Sequence, residues 1–376
     1  MVIKKIALGI TADLHVHLRQ GKMMELITPT VRQGGISVAY VMPNLTPPIT
    51  TIESVKKYHT ELSKISPETT FLMTLYLCKD LTPELVEEAA KLKLIKGIKC
   101  YPAGVTTNSQ AGVDPNDFTG FYPIFKVMQE YGLVLNLHGE KPSIHSDIEE
   151  DDDDDEREEI HVLNAEPKFL PALIKLHSDF PNLKIVLEHC TTKEAIEAVD
   201  KINQQERKSS SDPVIVAASI TAHHLSLTID NWAGDPINYC KPVAKLPSDK
   251  KALIKAAVSG KPYFFFGSDS APHELCNKSK HIGVCAGVYT QLYALGYLAQ
   301  VFEKHNKLDK LKDFVSTFGL NFYQLKDEDI VCKDTVSLIK EEFKIPELLK
   351  NEQGDIVVAP FKPGETLNWK VEWSQN

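Results

Sequence analysis

Asp13-Leu-His15-Val-His17-Leu-Arg19 sets four polar side chains at strict period two along an otherwise apolar run. In an extended strand that spacing turns all four to one face. Two imidazoles buried there without partners would waste hydrogen-bonding capacity, so a shared cation is the chemistry the pair suggests. Taken alone, the motif also fits a structural pair. Three more candidates close apolar runs: His138 after Leu-Val-Leu-Asn-Leu, His189 after Ile-Val-Leu-Glu, and Asp269 after Phe-Phe-Phe-Gly-Ser. Four histidines and an aspartate in equivalent positions make a metal centre the better reading. Lys99 ends Ile95-Lys-Gly-Ile-Lys99. A snorkelling or ion-paired lysine is its bland reading. Beside two divalent cations, however, desolvation and like charge favour the neutral amine. That amine can take up carbon dioxide, and the resulting carbamate can bridge two ions. Nitrogen and oxygen donors without thiolate suit zinc best, with manganese, cobalt and iron not excluded. Two such ions holding a bridging hydroxide would polarise an amide carbonyl, which is hydrolytic chemistry.

A set of this kind needs a scaffold that delivers side chains from the ends of several strands. Eight strand candidates are present: Lys5–Ile10 continuing into Asp13–Leu18, then Ile36–Met42, Thr70–Leu77, Ile95–Tyr101, Leu133–His138, Lys184–Cys190, Val214–Ile220 and Tyr263–Ser268. Helical patterns lie between them, at Glu53–Lys64, at Pro83–Lys93 behind a Thr82 cap, and at Tyr122–Tyr131, Lys168–Ser178 and Lys193–Gln204. Eight βα units imply an α/β fold, a TIM-type (β/α)8 barrel. Near-continuous apolar strands fit a sheet covered on both faces, which a doubly wound sheet would share. Chemically able residues at the C-terminal strand ends favour the barrel. Roughly a dozen residues precede His15, too few for a flanking β-sandwich, so residues 1–376 are expected to form a single barrel domain.

The run Asp147–Glu159 carries eleven carboxylates against one arginine and interrupts the unit after the fifth strand. It is expected to be a disordered, solvated insertion. Calcium binding is the lesser alternative, because the glycine turn of an EF-hand loop is missing. Outside that run the formal charge of −9 resolves into 40 acids and 41 bases, with no basic excess for nucleic acid. No stretch approaches a membrane span, and Met1-Val-Ile-Lys-Lys-Ile lacks a secretory h-region, so a cytoplasmic protein is expected. Seven cysteines without a CxxC pair point to reduced thiols.

The motifs at 13–19, Val-Met-Pro-Asn-Leu-Thr-Pro-Pro (41–48), Lys-Cys-Tyr-Pro-Ala (99–103), Thr-Thr-Asn-Ser (106–109), Leu-His-Gly-Glu (137–140), Glu-His-Cys-Thr-Thr-Lys (188–193), Gly-Ser-Asp-Ser-Ala-Pro-His (267–273) and Gly-Glu-Thr (364–366) run nearly end to end. In this order the chain resembles the dihydroorotases, of the bacterial homodimeric type and their fungal relatives, within the amidohydrolase superfamily. The resemblance implies reversible cyclisation of N-carbamoyl-L-aspartate to L-dihydroorotate in pyrimidine synthesis, by a homodimer. It implies that His15, His17, Lys99 and Asp269 bind one zinc ion and Lys99, His138 and His189 another, with Lys99 carboxylated, a hydroxide bridging, and Asp269 as general base and acid. Arg19 offers a planar fork on the metal-ligand face; the resemblance gives the substrate carboxylate to Arg19, Asn44 and His273 and the ring to backbone near Leu225 and Ala286, with His138 also at the substrate. Thr106 and Thr107, in the loop Pro102–Val113, would close over it. Two departures stand out: the acidic insertion, and Ala222-His223-His224 where Pro-Gln-His is usual, which leaves the role of His223 open. A hydantoinase or allantoinase would share the metal set but has no use for a carboxylate clamp. A scaffolding paralogue that had lost catalysis would be expected to lack ligands.

Overall fold

A computed structural model describes residues 3–143, 159–279 and 283–375. The acidic run 147–159 lies outside the described residues, apart from Glu159. After a partly exposed first strand, β1 (Lys5–Gly9), short strands buried almost throughout form the centre: β2 (Ala12–Val16), β3 (Val38–Val41), β4 (Thr70–Leu72), β5 (Thr74–Tyr76), β6 (Gly97–Cys100), β7 (Val134–Leu137), β8 (Lys184–Leu187), β9 (Val216–Ile220) and β10 (Phe264–Phe266). All neighbouring pairs from β2 to β4 and from β5 to β10 are parallel. The ring closes where Asp269 N donates to His15 O (2.8 Å) and His17 N to Ser270 O (3.0 Å). Counting β4 and β5 as one interrupted strand, eight parallel strands surround the interior, the barrel expected from the pattern.

Two strand assignments change. Lys5–Ile10 does not continue into the barrel: β1 pairs antiparallel with β11 (Thr335–Lys344), which pairs with β14 (Thr366–Ser374) in a separate three-stranded sheet, while β12 (Leu349–Lys350) and β13 (Val357–Val358) make a small hairpin beside it. A register shift between Ala7 and Gly9, with Gly9 at φ 77°, breaks the run. A positive φ of that kind is one glycine adopts without strain. The partly exposed face of β1 suits an outer sheet, whereas every residue of β2 is buried. The second change is at Thr70–Leu77, which is interrupted at Met73; Thr74 there turns its hydroxyl to Val41 O (2.6 Å).

Helices α1 (Gly21–Gln33), α2 (Ile52–Ile65), α3 (Pro83–Lys91), α4 (Tyr122–Tyr131), α5 (Ala165–Asp179) and α6 (Lys193–Glu206) pack outside the strands. Side-chain oxygens of Thr51, Thr82 and Thr192 accept from the backbone three residues on, at 3.1, 3.3 and 3.2 Å. Each satisfies an otherwise unpaired N–H and fixes where its helix begins. One contiguous apolar core runs from Leu8 to Trp369. Inside the barrel Gly97 makes room for polar neighbours: a Cβ there would lie 2.2 Å from Val134 O and 2.5 Å from the Tyr40 hydroxyl.

Candidate active site

The C-terminal ends of β2, β6, β7, β8 and β10 bring His15, His17, Lys99, His138, His189 and Asp269 together, all buried. Asp13, which shares their face of β2, fixes the seam of the barrel by accepting from Ser268 N (2.7 Å) and His15 N (3.2 Å). His17 Nε2 lies 3.1 Å and His15 Nε2 3.5 Å from Asp269 Oδ1. Donor atoms of His15, His17 and Asp269 all fall within 4.8 Å of one another. The rings of His15 and His189 stand 5.0 Å apart, and those of His138 and His189 4.7 Å.

Second partners decide which imidazole nitrogen faces inward. His17 Nδ1 donates to Asn44 Oδ1 (2.8 Å), leaving the Nε2 lone pair toward Asp269. His138 Nε2 donates to Glu140 Oε2 (2.9 Å), leaving Nδ1. His15 Nδ1 lies 2.9 Å from Glu188 Oε2, a close contact not aligned as a hydrogen bond. Carboxylates and amides in these positions fix tautomer and ring orientation, as they do behind metal-ligating histidines. Glu188 also accepts from Asn136 Nδ2 (2.6 Å), itself tied to Tyr40 and Tyr323.

Three polar atoms at the centre, Lys99 Nζ, His15 Nε2 and His189 Nδ1, are buried without a hydrogen-bond partner. Leaving them so would be costly, and a cation shared among nitrogen and oxygen donors removes the deficit. The residues therefore fit a zinc-type centre. Burial drives the Lys99 pKa down to about 8 despite the opposing pull of Glu188 and Asp269. Burial, and then the Lys99 charge, holds the His15 and His189 values well below the ordinary histidine range. For Asp269 burial acts upward, but the neighbouring His17, His15 and Lys99 outweigh it and draw the pKa down to about 2. Arg19, His189 and Asp269 all adopt positive φ (60°, 41° and 45°). For side chains other than glycine this is a strained turn, concentrated here at strand ends that must aim a functional group.

A narrow cleft opens above this centre. Arg19, Asn44, Thr106, Thr107 and Ala286 line it with the histidines, as anticipated, and so do Tyr101, Lys241, Ala271 and Gly287, which were not. Tyr101 had a signal, lying two residues beyond Lys99 and so on the same face. Arg19 Nε donates to Pro272 O (2.9 Å), and its Nη2 lies 3.1 Å from His273 Nε2. That same His273 nitrogen is 2.9 Å from Ala286 O. It cannot accept from Arg19 and donate to Ala286 at once, so a carboxylate that took over the Arg19 group would release His273 to donate. The threonine loop leans on Asn44: Asn44 Nδ2 donates to Thr107 O (3.0 Å), and Asn108 Nδ2 to Asn44 O (3.1 Å). The Thr106 hydroxyl is buried and unpartnered. Leu225 does not line the cleft; it borders a different groove with Ile254 and Tyr297. His223 is also outside it, buried beside His224, which binds Thr221 and Pro242 O.

A parallel barrel whose strand ends gather four histidines, a lysine and an aspartate is the arrangement of an amidohydrolase, and the Amidohydrolase family model matches residues 76–202. The chain is 60% identical to the dihydroorotase of Saccharomyces cerevisiae over 372 residues, 99% of both proteins. The crystal structure of the dihydroorotase from that organism in complex with 5-fluoroorotic acid superposes with a TM-score of 0.95, at 60% identity and over 100% of both chains. An L-hydantoinase from Arthrobacter aurescens shares the fold at 15% identity, with a TM-score of 0.77 over 98% of this chain and 84% of that one. The chain belongs to the dihydroorotase family, and its function is that of a dihydroorotase enzyme rather than of a hydantoinase or a scaffold.

Proposed function

We propose that this cleft interconverts N-carbamoyl-L-aspartate and L-dihydroorotate, with His15, His17, Lys99 and Asp269 holding one zinc ion and Lys99, as its carbamate, His138 and His189 holding a second. When bound, the pair supplies a hydroxide nucleophile and Lewis-acid polarisation of the ring amide. Asp269 takes a proton during attack and returns it to the departing ring nitrogen; in ring closure the same oxygen works in reverse order. Arg19 and Asn44 on one wall and His273 behind Arg19 receive the substrate carboxylate, the ring lies along the Ala286 backbone, and Thr106 and Thr107 close the opening. The observation that carries this reading is the convergence, from three different strands, of unpartnered Lys99 Nζ, His15 Nε2 and His189 Nδ1 at a cleft that the Arg19 guanidinium also lines.

We take the working form to be a homodimer of single-domain chains in the cytoplasm, without nucleic-acid or membrane partners. A charge balance near neutrality outside the acidic run is consistent with that. Among the described residues no helix is long and apolar enough to cross a membrane. The test is absorbance-monitored hydrolysis of dihydroorotate by purified protein with its metals counted. Turnover with two zinc ions per chain, both lost with activity in Lys99→Ala, is expected. At most one metal per chain together with a fully active Lys99→Ala would overturn the carbamate-bridged pair.

A further inference from the structure

Lys278 is buried, yet no carboxylate lies within ion-pair reach among the described residues. Its ammonium has three N–H groups, and all three end on main-chain carbonyls: Tyr239 O at 2.8 Å, Cys285 O at 3.1 Å and Gly287 O at 2.8 Å. These belong to two strips of chain that also join directly, through Gly287 N to Tyr239 O (3.0 Å). One strip runs on to Lys241; the other contains Ala286 and Gly287; all three residues line the cleft.

The spacing of the bound carbonyls matters. In extended chain the peptide groups of alternate residues face opposite sides. With the carbonyls of 285 and 287 turned to the ammonium, the main-chain groups of Ala286 face away from it, toward the cleft. Ala286 lines the cleft, and its carbonyl lies 2.9 Å from Nε2 of His273, the neighbour of Arg19. Substitution of Gly287 could not supply the same hold, because a Cβ on it would lie 2.4 Å from Ala271 O and 2.9 Å from His273 Cδ2. The wall is thus packed tightly on its cleft side and clamped by a charge on its other side. Hydrogen bonds from a charged donor are the stronger kind, and burial draws the Lys278 pKa down to about 8, against the opposing pull of Cys240, Cys285 and Asp235.

We propose that Lys278 is a positioning residue for substrate: its ammonium sets the Ala286 main chain in the orientation that receives the pyrimidine ring. The inference rests on the reading of the cleft given above. Lys278 touches neither the reacting atoms nor the metal-ligand set, so its loss weakens binding and leaves the chemical step alone.

The experiment compares wild type with Lys278→Met, which keeps the length and removes all donors, and Lys278→Gln, which keeps two. KM and kcat for dihydroorotate, the Kd for orotate by calorimetry, and metal content are measured for each. The expected order of KM and orotate Kd is wild type, then Gln, then Met, with about a tenfold rise at Met, kcat within about twofold, and metal content unchanged. If Met does not fold, the Gln variant alone decides, by a rise of about threefold or more in both quantities. An unchanged KM and orotate Kd, or a fall in kcat at constant KM, overturns the proposal. Wild type that binds metal but does not turn over dihydroorotate would instead refute the reading of the cleft.

Discussion

Replacing Arg19 by methionine separates recognition of the carboxylate from everything else in the cleft. Of the five N–H groups of a guanidinium, Nε is spent on Pro272 O and one on Nη2 faces His273, which leaves three for a ligand. A two-point contact with a carboxylate is charge-assisted at each end and worth about 1.5–3 kcal/mol per bond. Part of that is offset, because burial already disfavours the charged guanidinium and methionine relieves it. A net loss of about 3–4 kcal/mol remains, or roughly 100- to 1,000-fold in kcat/KM. The assay is ring-opening followed by absorbance, with dihydroorotate set against dihydrouracil, the same ring without the carboxylate. The loss is expected with dihydroorotate only, metal content should not change, and Arg19→Lys should fall between, keeping charge but not the fork. Equal losses on both substrates would show that Arg19 serves only to brace Pro272 and His273, and no loss would remove it from binding altogether.

Three other perturbations probe the layers beneath. With a Lys99 pKa of about 8, the neutral amine that accepts carbon dioxide is about a tenth of the total at pH 7 and about nine tenths at pH 9. Reactivation of metal-stripped protein at fixed dissolved carbon dioxide should therefore speed up about eight- to tenfold over that interval; a flat profile refutes the assignment. Glu140→Gln removes the carboxylate that holds His138 Nε2 and leaves the buried Lys245 ammonium, now 3.4 Å from Glu140, without its counter-charge. Metal affinity by chelator competition should drop about 10- to 100-fold, and a wild-type value would mean that His138 needs no such support. Gly97→Ala forces a methyl group against Val134 O and the Tyr40 hydroxyl, with an expected cost of about 1–3 kcal/mol. Thermal melting checks it, and an unshifted midpoint would mean that the barrel interior can yield there.

The convergence of His15, His17, Lys99, His138, His189 and Asp269 was legible because each ends an apolar run or repeats at period two, and both signals are local. That Arg19 lines the same cleft was legible because it continues the period-two spacing of His15 and His17. Asn44 was read only as a substrate donor, whereas its amide oxygen orients His17 and its nitrogen holds Thr107; one side chain serving two neighbours leaves no trace in spacing. The break between β1 and β2 was missed because the apolar run is continuous through Ile10. The partner that draws β1 away, β11, lies at the far end of the chain. The interruption at Met73 has no local mark at all.

The turns that aim Arg19, His189 and Asp269 could not be read either, because none of the three is glycine and each holds a positive φ against its own preference. Such conflicts between local preference and structure are expected where a site overrides them. Lys241 and Lys278 show the remaining gap. A metal ligand is recognisable by its type, and so is a carboxylate receptor, but a main-chain carbonyl is the same in every residue. A side chain whose partners are carbonyls, as those of Lys278 are at Tyr239, Cys285 and Gly287, therefore has no partner that residue identity can announce. The parts of this cleft that perform chemistry are written in residue types, and the parts that hold its walls in place emerge only when distant loops are folded against each other.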